Sequence, residues 1–217
     1  MNQNTIIKTE DGSYTLYSQI FDEHYHSVNG AFTESTHIFI KEGLQYISPK
    51  FSNLNIFEMG FGTGLNAALS YIWSNSNKQK CSYYSVEYYP IETSSLKSND
   101  DFLFNALTQV NNASWGNDSI LSDYFNLTKY KIDIKSFEHS EFYHLVFWDA
   151  FSPDTQPELW TEELFSKIFD YLIPGGILVT YSVKGTVKRA LKSVGFKIEK
   201  LAGPPGKREI LRAIKPY

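Results

Sequence analysis

The run Asn55-Ile-Phe-Glu-Met-Gly-Phe-Gly-Thr-Gly-Leu-Asn66 constrains the fold more than any other part of this 217-residue chain. An apolar stretch runs into Glu58, glycines follow at alternate positions (Gly60, Gly62, Gly64), and then comes Leu-Asn-Ala-Ala-Leu. The pattern predicts a buried strand, a tight turn and the start of a helix. Glycine has no Cβ and tolerates positive φ, so such a turn lets a nucleotide-like ligand press against backbone. The spacing narrows the ligand further. A dinucleotide fingerprint reads G-x-G-x-x-G, and its third glycine, counted from Gly60, would fall on Leu65.

With 42% apolar residues, the chain has the length and composition of one α/β domain with a sizeable core. We therefore read 1–217 as a single domain, with 1–50 as an N-terminal extension and 51–217 as the core. The start, Met-Asn-Gln-Asn-Thr, is polar and lacks the basic and apolar regions of a signal peptide. No apolar run approaches bilayer-spanning length, so no membrane partner is expected. The single cysteine, Cys81, excludes an internal disulfide, and a reducing cytoplasm is the expected location.

Charge is unevenly spread. From Lys184 to Tyr217 ten Lys/Arg face two acids, Glu199 and Glu209, a local balance of +8 within a chain of net −4. The overall acidity argues against nonspecific nucleic-acid binding, whereas the basic C-terminal third has the composition of a phosphate-binding face. A solvated amphipathic helix accounts for the same lysines equally simply.

Asp11-Gly12 between the β-prone arms of residues 5–17 predicts a hairpin. Residues 18–36 read as loop, followed by an amphipathic helix over about 35–47. The core then reads as strand one (54–59), a helix (65–73), strand two (83–87), a helical region (91 to about 110) and an Asn-rich stretch. Strand three (129–134) and strand four (143–149) follow. Pro157 opens a helix reaching about 172, which Pro174-Gly-Gly ends. Strand five (177–182), a basic helix (184–194), strand six (196–201) and strand seven (209–214) complete the order. Alternating strands and helices predict a mostly parallel, doubly wound sheet. The loop 202–208 is too short for a helical crossover, so the last two strands form an antiparallel hairpin.

The pattern E-x-G-x-G-x-G from Glu58 to Gly64 resembles motif I of Rossmann-like S-adenosylmethionine (SAM)-dependent methyltransferases. That resemblance implies a class I methyltransferase fold: a mostly parallel seven-stranded sheet with an antiparallel last strand, here with an N-terminal β-hairpin extension. In such sheets ligands bind beyond the carboxyl ends of the strands. Glu58, Glu87, Asp133 and Asp149 all fall at or near those ends, and like charges gathered on one edge repel unless they bind something. By resemblance, Glu87 binds the ribose hydroxyls, Asp133 the exocyclic amine of adenine, Gly60, Gly62 and Gly64 approach the methionine part and ribose, and Tyr25, Glu58, Asn66 and Asp149 are further cofactor-binding residues.

A second signal is Asp149-Ala-Phe-Ser-Pro153 followed by Pro157-Glu-Leu-Trp160. An acid after strand four borders the methyl group in this architecture, and Phe151, Pro153 and Trp160 are flat groups suited to stacking a nucleobase. Core packing explains Phe151 and Trp160 as well. Further matches are Thr9-x-Asp-Gly-Ser13, Tyr25-His-Ser27, Gly30-Ala31, Glu34-Ser35-x-His37-x-Phe39, Ser85-Val-Glu87, Lys188-Arg189-x-Leu191, Gly195-Phe196 and Lys207-Arg-Glu209. Together, and in this order, these motifs resemble the methyltransferase domain of the bifunctional tRNA 5-methylaminomethyl-2-thiouridine biosynthesis family.

The family resemblance implies SAM-dependent N-methylation of 5-aminomethyl(-2-thio)uridine at the tRNA wobble position. The chain carries no second Rossmann fingerprint, so we expect no oxidase half and no FAD. A separate oxidase or another enzyme then supplies the aminomethyl substrate. A primary ammonium must lose a proton before it can act as a nucleophile, and Asp149 is the candidate carboxylate to hold it and accept that proton. Tyr25, His26 and the segment 30–34 form a lid by resemblance, a surface loop otherwise. His24 and His26 lack a suitably placed third ligand, so no metal is expected. Lys184, Lys188, Arg189, Lys192, Lys207 and Arg208 are the candidate contacts to the anticodon stem-loop, which implies tRNA affinity that falls steeply with salt. Two alternatives stay open at this point: a SAM-dependent methyltransferase of a protein or small-molecule amine, and a nucleotide-binding module or nicotinamide enzyme.

Overall fold

The computed structural model describes residues 4–91 and 100–217. Three short strands, β1 (Asn4–Lys8), β2 (Tyr14–Ser18) and β3 (Glu23–His24), form a small antiparallel sheet in that order. Its first turn is the Asp11-Gly12 turn, where the Asp11 carboxylate accepts hydrogen bonds from Ser13 and Thr9 side chains and from the Thr33 N–H. The segment 18–36 is therefore more ordered than the loop expected there: it contains β3 and the start of α1 (Ala31–Ser35). The helix continues without a break through Thr36–Gln45 in a wider, π-type winding.

The larger sheet has eight strands. Its centre is β4 (Asn53–Met59), which leads through the glycine turn and α2 (Leu65–Asn77) into β5 (Lys80–Glu87). Helix α3 (Asp101–Asn112) follows, then β6 (Asp118–Ser122), β7 (Phe125–Lys131) and β8 (Tyr143–Trp148). Next come α4 (Glu162–Tyr171), β9 (Leu172–Thr180), α5 (Gly185–Ser193), β10 (Lys197–Ala202) and β11 (Glu209–Ile214). The spatial order is β10-β11-β9-β8-β4-β5-β7-β6. Strands β9, β8, β4, β5 and β7 are parallel, and β11 is antiparallel to both β9 and β10.

Side chains alternate across β4: Leu54 and Ile56 enter one core with α2, α3 and the N-terminal helix, while Phe57 enters the other with α4 and α5. Both faces are covered, as a parallel sheet requires, and this is why β4 and β8 read as nearly continuous apolar runs. Lys129 on β7 is one of the buried charges of the sheet. It is buried at 1% exposure, donates to the carbonyls of Val110 and Asn111 at the end of α3, and lies 4.8 Å from the Phe61 and Trp115 rings.

Several boundaries differ from the sequence reading. An eighth strand, β6, pairs antiparallel with β7 inside the polar stretch, where Asp-Ser-Ile-Leu-Ser carries little strand signal. Strand β7 ends at Lys131, so Asp133 lies beyond it and caps a 3₁₀ turn by accepting the Lys135 N–H. Pro157 opens only a 3₁₀ turn, and α4 starts after Thr161, whose Oγ1 accepts from Leu164 N–H. Pro174-Gly-Gly is absorbed into β9, with a shift in register against β8, instead of ending the helix. Of the helical region expected from residue 91, α3 covers 101–112, and residues 92–99 lie outside the described residues.

Arg212 on β11 joins the two ends of the fold. It donates to the Glu42 carbonyl and carboxylate and to Glu199, and stacks 3.6 Å from the Tyr46 ring. Removing a buried guanidinium strands its acceptors. Arg212→Ala is expected to lower the unfolding free energy by about 3 kcal/mol in urea denaturation, against under about 0.5 for the exposed Lys192→Ala.

Candidate active site

The chain leaves β4 toward β5 on one side and later returns to β8 on the other, so the sheet order reverses at the carboxyl end of β4. Ligands bind at such a switch point. A cavity of ≈ 480 Å³ opens there. Of the candidates read from the sequence, it is lined by Tyr25, Gly60, Gly62, Glu87, Asp133, Asp149, Phe151 and Lys207.

The glycine turn shapes the floor. Gly60 has φ +90°, and a Cβ there would stand 2.8 Å from the Asp149 carbonyl oxygen. Gly62 has φ +51°, and a Cβ would meet the Tyr25 ring at 3.1 Å. Neither position accepts a side chain without displacing backbone or roof. Gly64 does not reach the cavity; it is the N-terminal cap of α2.

The strand-end acids separate into three roles. Glu87 accepts the Gly62 and Tyr89 N–H groups through its two oxygens, at 3.1 and 2.8 Å, and burial pushes its pKa up. Asp149 accepts from the Asn66 amide at 2.8 Å. Burial pushes its pKa up to about 7 against that hydrogen bond, Glu34 adds to the rise, and the Lys207 ammonium opposes it. Glu58 and Asn66 do not line the cavity: both are buried beneath it, Glu58 with no exposed surface. Their expected role as direct ligand contacts is therefore corrected to a place behind Asp149, because Glu58 points from the side of β4 into the apolar core.

The N-terminal sheet supplies the roof. Tyr25 packs edge-on against Phe151 at 4.9 Å, and Phe21 lies 4.7 Å from the same ring. The Glu23 carboxylate accepts the Ser152 N–H, tying β3 to the loop after β8. His26 Nε2 bonds Thr63 Oγ1 at 3.0 Å, and burial lowers its pKa to about 4, so it is neutral. Glu34 accepts the Ser27 N–H and pairs with Lys207 at 2.5 Å, while Lys207 Nζ sits 4.2 Å over the Tyr181 ring. No group of three or more metal-ligating side chains comes together among the described residues.

The acceptor-side expectations fare unevenly. Phe151 faces the cavity, but Trp160 is 6% exposed and donates its Nε1–H to the Phe151 carbonyl, shaping the loop from behind. Pro153 does not line the cavity. Lys207, expected at a phosphate, is inside the cavity with Glu34. Lys184 pairs with Asp154, Lys200 with Glu209, and Arg212 with Glu42 and Glu199, so much of the basic balance is spent within the fold. Arg189, Lys192 and Arg208 are exposed, and Lys188 is half-buried. Phe21, Glu23 and Tyr181 line the cavity without having been singled out. Tyr181 sits just past the end of β9, where the strand-end rule would find it; Phe21 and Glu23 carry no local signal.

Gly60→Ala puts a methyl group against the Asp149 carbonyl at a positive φ, and affinity for S-adenosylhomocysteine is expected to fall by about tenfold or more. Isothermal titration measures it; unchanged affinity would show that the turn does not cradle the ligand.

With the site defined, comparison with known proteins places it. The sequence matches the S-adenosyl-L-methionine-dependent methyltransferase family over residues 105–216. The tRNA 5-methylaminomethyl-2-thiouridine biosynthesis bifunctional protein MnmC of Actinobacillus pleuropneumoniae serotype 5b is 27% identical over 93% of this chain and 34% of its own length. The chain thus spans about a third of the curated relatives of that name. The crystal structure of MNMC2 from Aquifex aeolicus superposes with TM-score 0.82 at 27% identity, covering 98% of this chain and 70% of that one. Human methyltransferase-like protein 13, in complex with SAH, shares the fold with TM-score 0.53 at 15% identity. This chain belongs to the S-adenosyl-L-methionine-dependent methyltransferase family.

Proposed function

We propose that the acceptor is the primary amine of 5-aminomethyl(-2-thio)uridine at the wobble position of tRNA, converted to the 5-methylaminomethyl form. The observation that carries this reading is the make-up of the cavity around Asp149. Glu23, Glu34, Glu87, Asp133, Asp149 and Glu158 line it against two lysines, Lys135 and Lys207, beside the rings of Phe21, Tyr25 and Phe151. An acidic, aromatic chamber suits a flat base bearing a cationic arm. The names of the sequence relatives point the same way. The chain's place as a single cytoplasmic methyltransferase domain, supplied with substrate by a separate oxidase or other enzyme, belongs to the same proposal.

The residues present fit SAM. The space at Gly60 and Gly62 is open only because no Cβ fills it, and Glu87 and Asp133 stand along the same wall. In this reading Glu87 takes the ribose hydroxyls and Asp133 the adenine amine. When bound, SAM supplies a methyl group already activated on a sulfonium centre. The protein's own task is then to orient the acceptor and remove its proton. Asp149 has the right chemistry, a carboxylate with pKa about 7, held by the Asn66 amide and facing the cavity. Phe151 and Tyr25 hold the base, and the roof excludes water. Lys188, Arg189, Lys192 and Arg208 remain available for phosphates of the anticodon stem; Lys184 reaches them only by leaving Asp154.

Asp149→Asn is expected to lower kcat about 100-fold or more while S-adenosylhomocysteine affinity changes less than about threefold. Activity of the unmodified enzyme should fall as the pH drops through about 7, where Asp149 takes up a proton and ceases to be a base. That limb should be missing from the residual rate of the Asn variant. Nucleoside mass spectrometry of a strain lacking this chain tests the acceptor: accumulated 5-aminomethyl nucleoside supports it, and unchanged 5-methylaminomethyl nucleoside directs the search to a protein or small-molecule amine.

A further inference from the structure

Beneath the cavity lies an acid to which the proposed chemistry gives no task. Glu58 has no exposed surface and belongs to a strand covered on both faces by apolar side chains. Its Oε2 accepts the Ser85 hydroxyl at 2.8 Å, while Oε1 is buried without a hydrogen-bond partner. Among the described residues no cation pairs with it. The buried Lys129 and Arg212 are committed to carbonyls of α3 and to Glu42 and Glu199.

Asn66 stands between this acid and the active site. Its Nδ2 donates to Asp149 Oδ2 at 2.8 Å, and its Oδ1 is buried without a partner. The Asn66 side chain and the Tyr83 hydroxyl, whose oxygen is likewise buried without a partner, both act on the Glu58 carboxyl. With the Tyr83 hydroxyl free to donate to the Glu58 carboxyl, a proton on Glu58 Oε1 shared with Asn66 Oδ1 gives that buried oxygen the donor it lacks.

We propose that Glu58 is a positioning residue kept as a neutral carboxylic acid, which fixes the Asn66 amide and, through it, the Asp149 carboxylate at the methyl-transfer centre. The surroundings favour the neutral form. Burial pushes the Glu58 pKa up to about 8, with the Ser85, Asn66 and Tyr83 side chains opposing and the Asp149 charge adding to the rise. The titratable groups that face Glu58 are Tyr83 on β5 and Asp149 beyond β8, while α2 contributes the uncharged Asn66. Among the buried side chains of the N-terminal helix only Glu34 is charged, and it acts on Asp149. Neutral Glu58 engages the oxygen end of the amide and leaves the NH₂ end for Asp149. Ionised Glu58 competes for that NH₂ and releases Asp149.

Two measurements separate this from a purely structural role. Infrared spectra at pH 7 should show the carbonyl stretch of a buried protonated carboxyl that Glu58→Gln lacks, and this arm needs no acceptor. In turnover with hypomodified tRNA, Glu58→Ala should lower kcat about tenfold or more, and Glu58→Gln, the isostere of the neutral acid, should restore it to within about threefold. S-adenosylhomocysteine affinity should stay within about threefold in both variants, since Glu58 acts through Asn66 and not on the ligand. Wild-type activity should decline above pH about 8, and that of Glu58→Gln should not. Absence of the infrared band, equal damage by Gln and Ala, or about tenfold weaker S-adenosylhomocysteine binding by the Gln variant would overturn the proposal. The turnover arm rests on the tRNA acceptor; failure of that reading shows as no turnover by the wild type, with the infrared and binding results still deciding the state of Glu58. If Glu58→Ala does not fold, the Gln variant alone still does so.

Discussion

The site depends on three strand ends being laced together by backbone. Beyond the paired region, Gly60 N–H donates to the Val86 carbonyl at 3.0 Å and Asp149 N–H to the Met59 carbonyl at 3.1 Å. These bonds carry β4, β5 and β8 into the turns that hold the ligand-facing groups. The lacing works only because residue 60 has no side chain, since a Cβ would collide with the Asp149 carbonyl. One constraint thus sets both the floor of the cavity and the position of Asp149 in its wall.

From that constraint the electrostatics follow. A parallel sheet gathers acids at one edge, and burial there raises their pKa values because charge is poorly solvated. The protein handles each differently: Glu87 with two backbone N–H groups and Asp149 with an amide. Glu58 accepts the Ser85 hydroxyl and has no cation beside it among the described residues, which is why the proposal gives it a proton.

The core of this arrangement was legible in the sequence because it rests on local patterns. The glycine spacing, the apolar runs into Glu58 and Asp149 and the short final hairpin are each written within a dozen residues, and they locate the switch point and most of its carboxylates. Glu58 was misplaced because period-two alternation reads a strand's faces only once the register is known: it shares a face with Leu54 and Ile56, not with the cavity. The basic C-terminal third misled for another reason. Composition counts charges without their partners, and the partners of Lys207 and Arg212 lie about 170 residues away in the chain. Phe21 and Glu23 were invisible because a roof built by a short irregular strand has no periodicity to read. The eighth strand escaped because edge strands tolerate polar sequence.

The ties between the two ends of the chain also bear on how it comes into being. His37 bonds the Ala202 carbonyl, Glu34 meets Lys207, and Glu42 meets Arg212. The roof is thus fastened by residues about 170 positions further along the sequence. The acids of the N-terminal helix meet these partners only where the hairpin of β10 and β11 is seated beside β9. Contacts so distant in sequence carry the loop-closure entropy of nearly the whole chain and form late. A roof fastened by such distant contacts closes only once both flanks of the fold are in place, so the chamber depends on more of the chain than its glycine turn and central strands do.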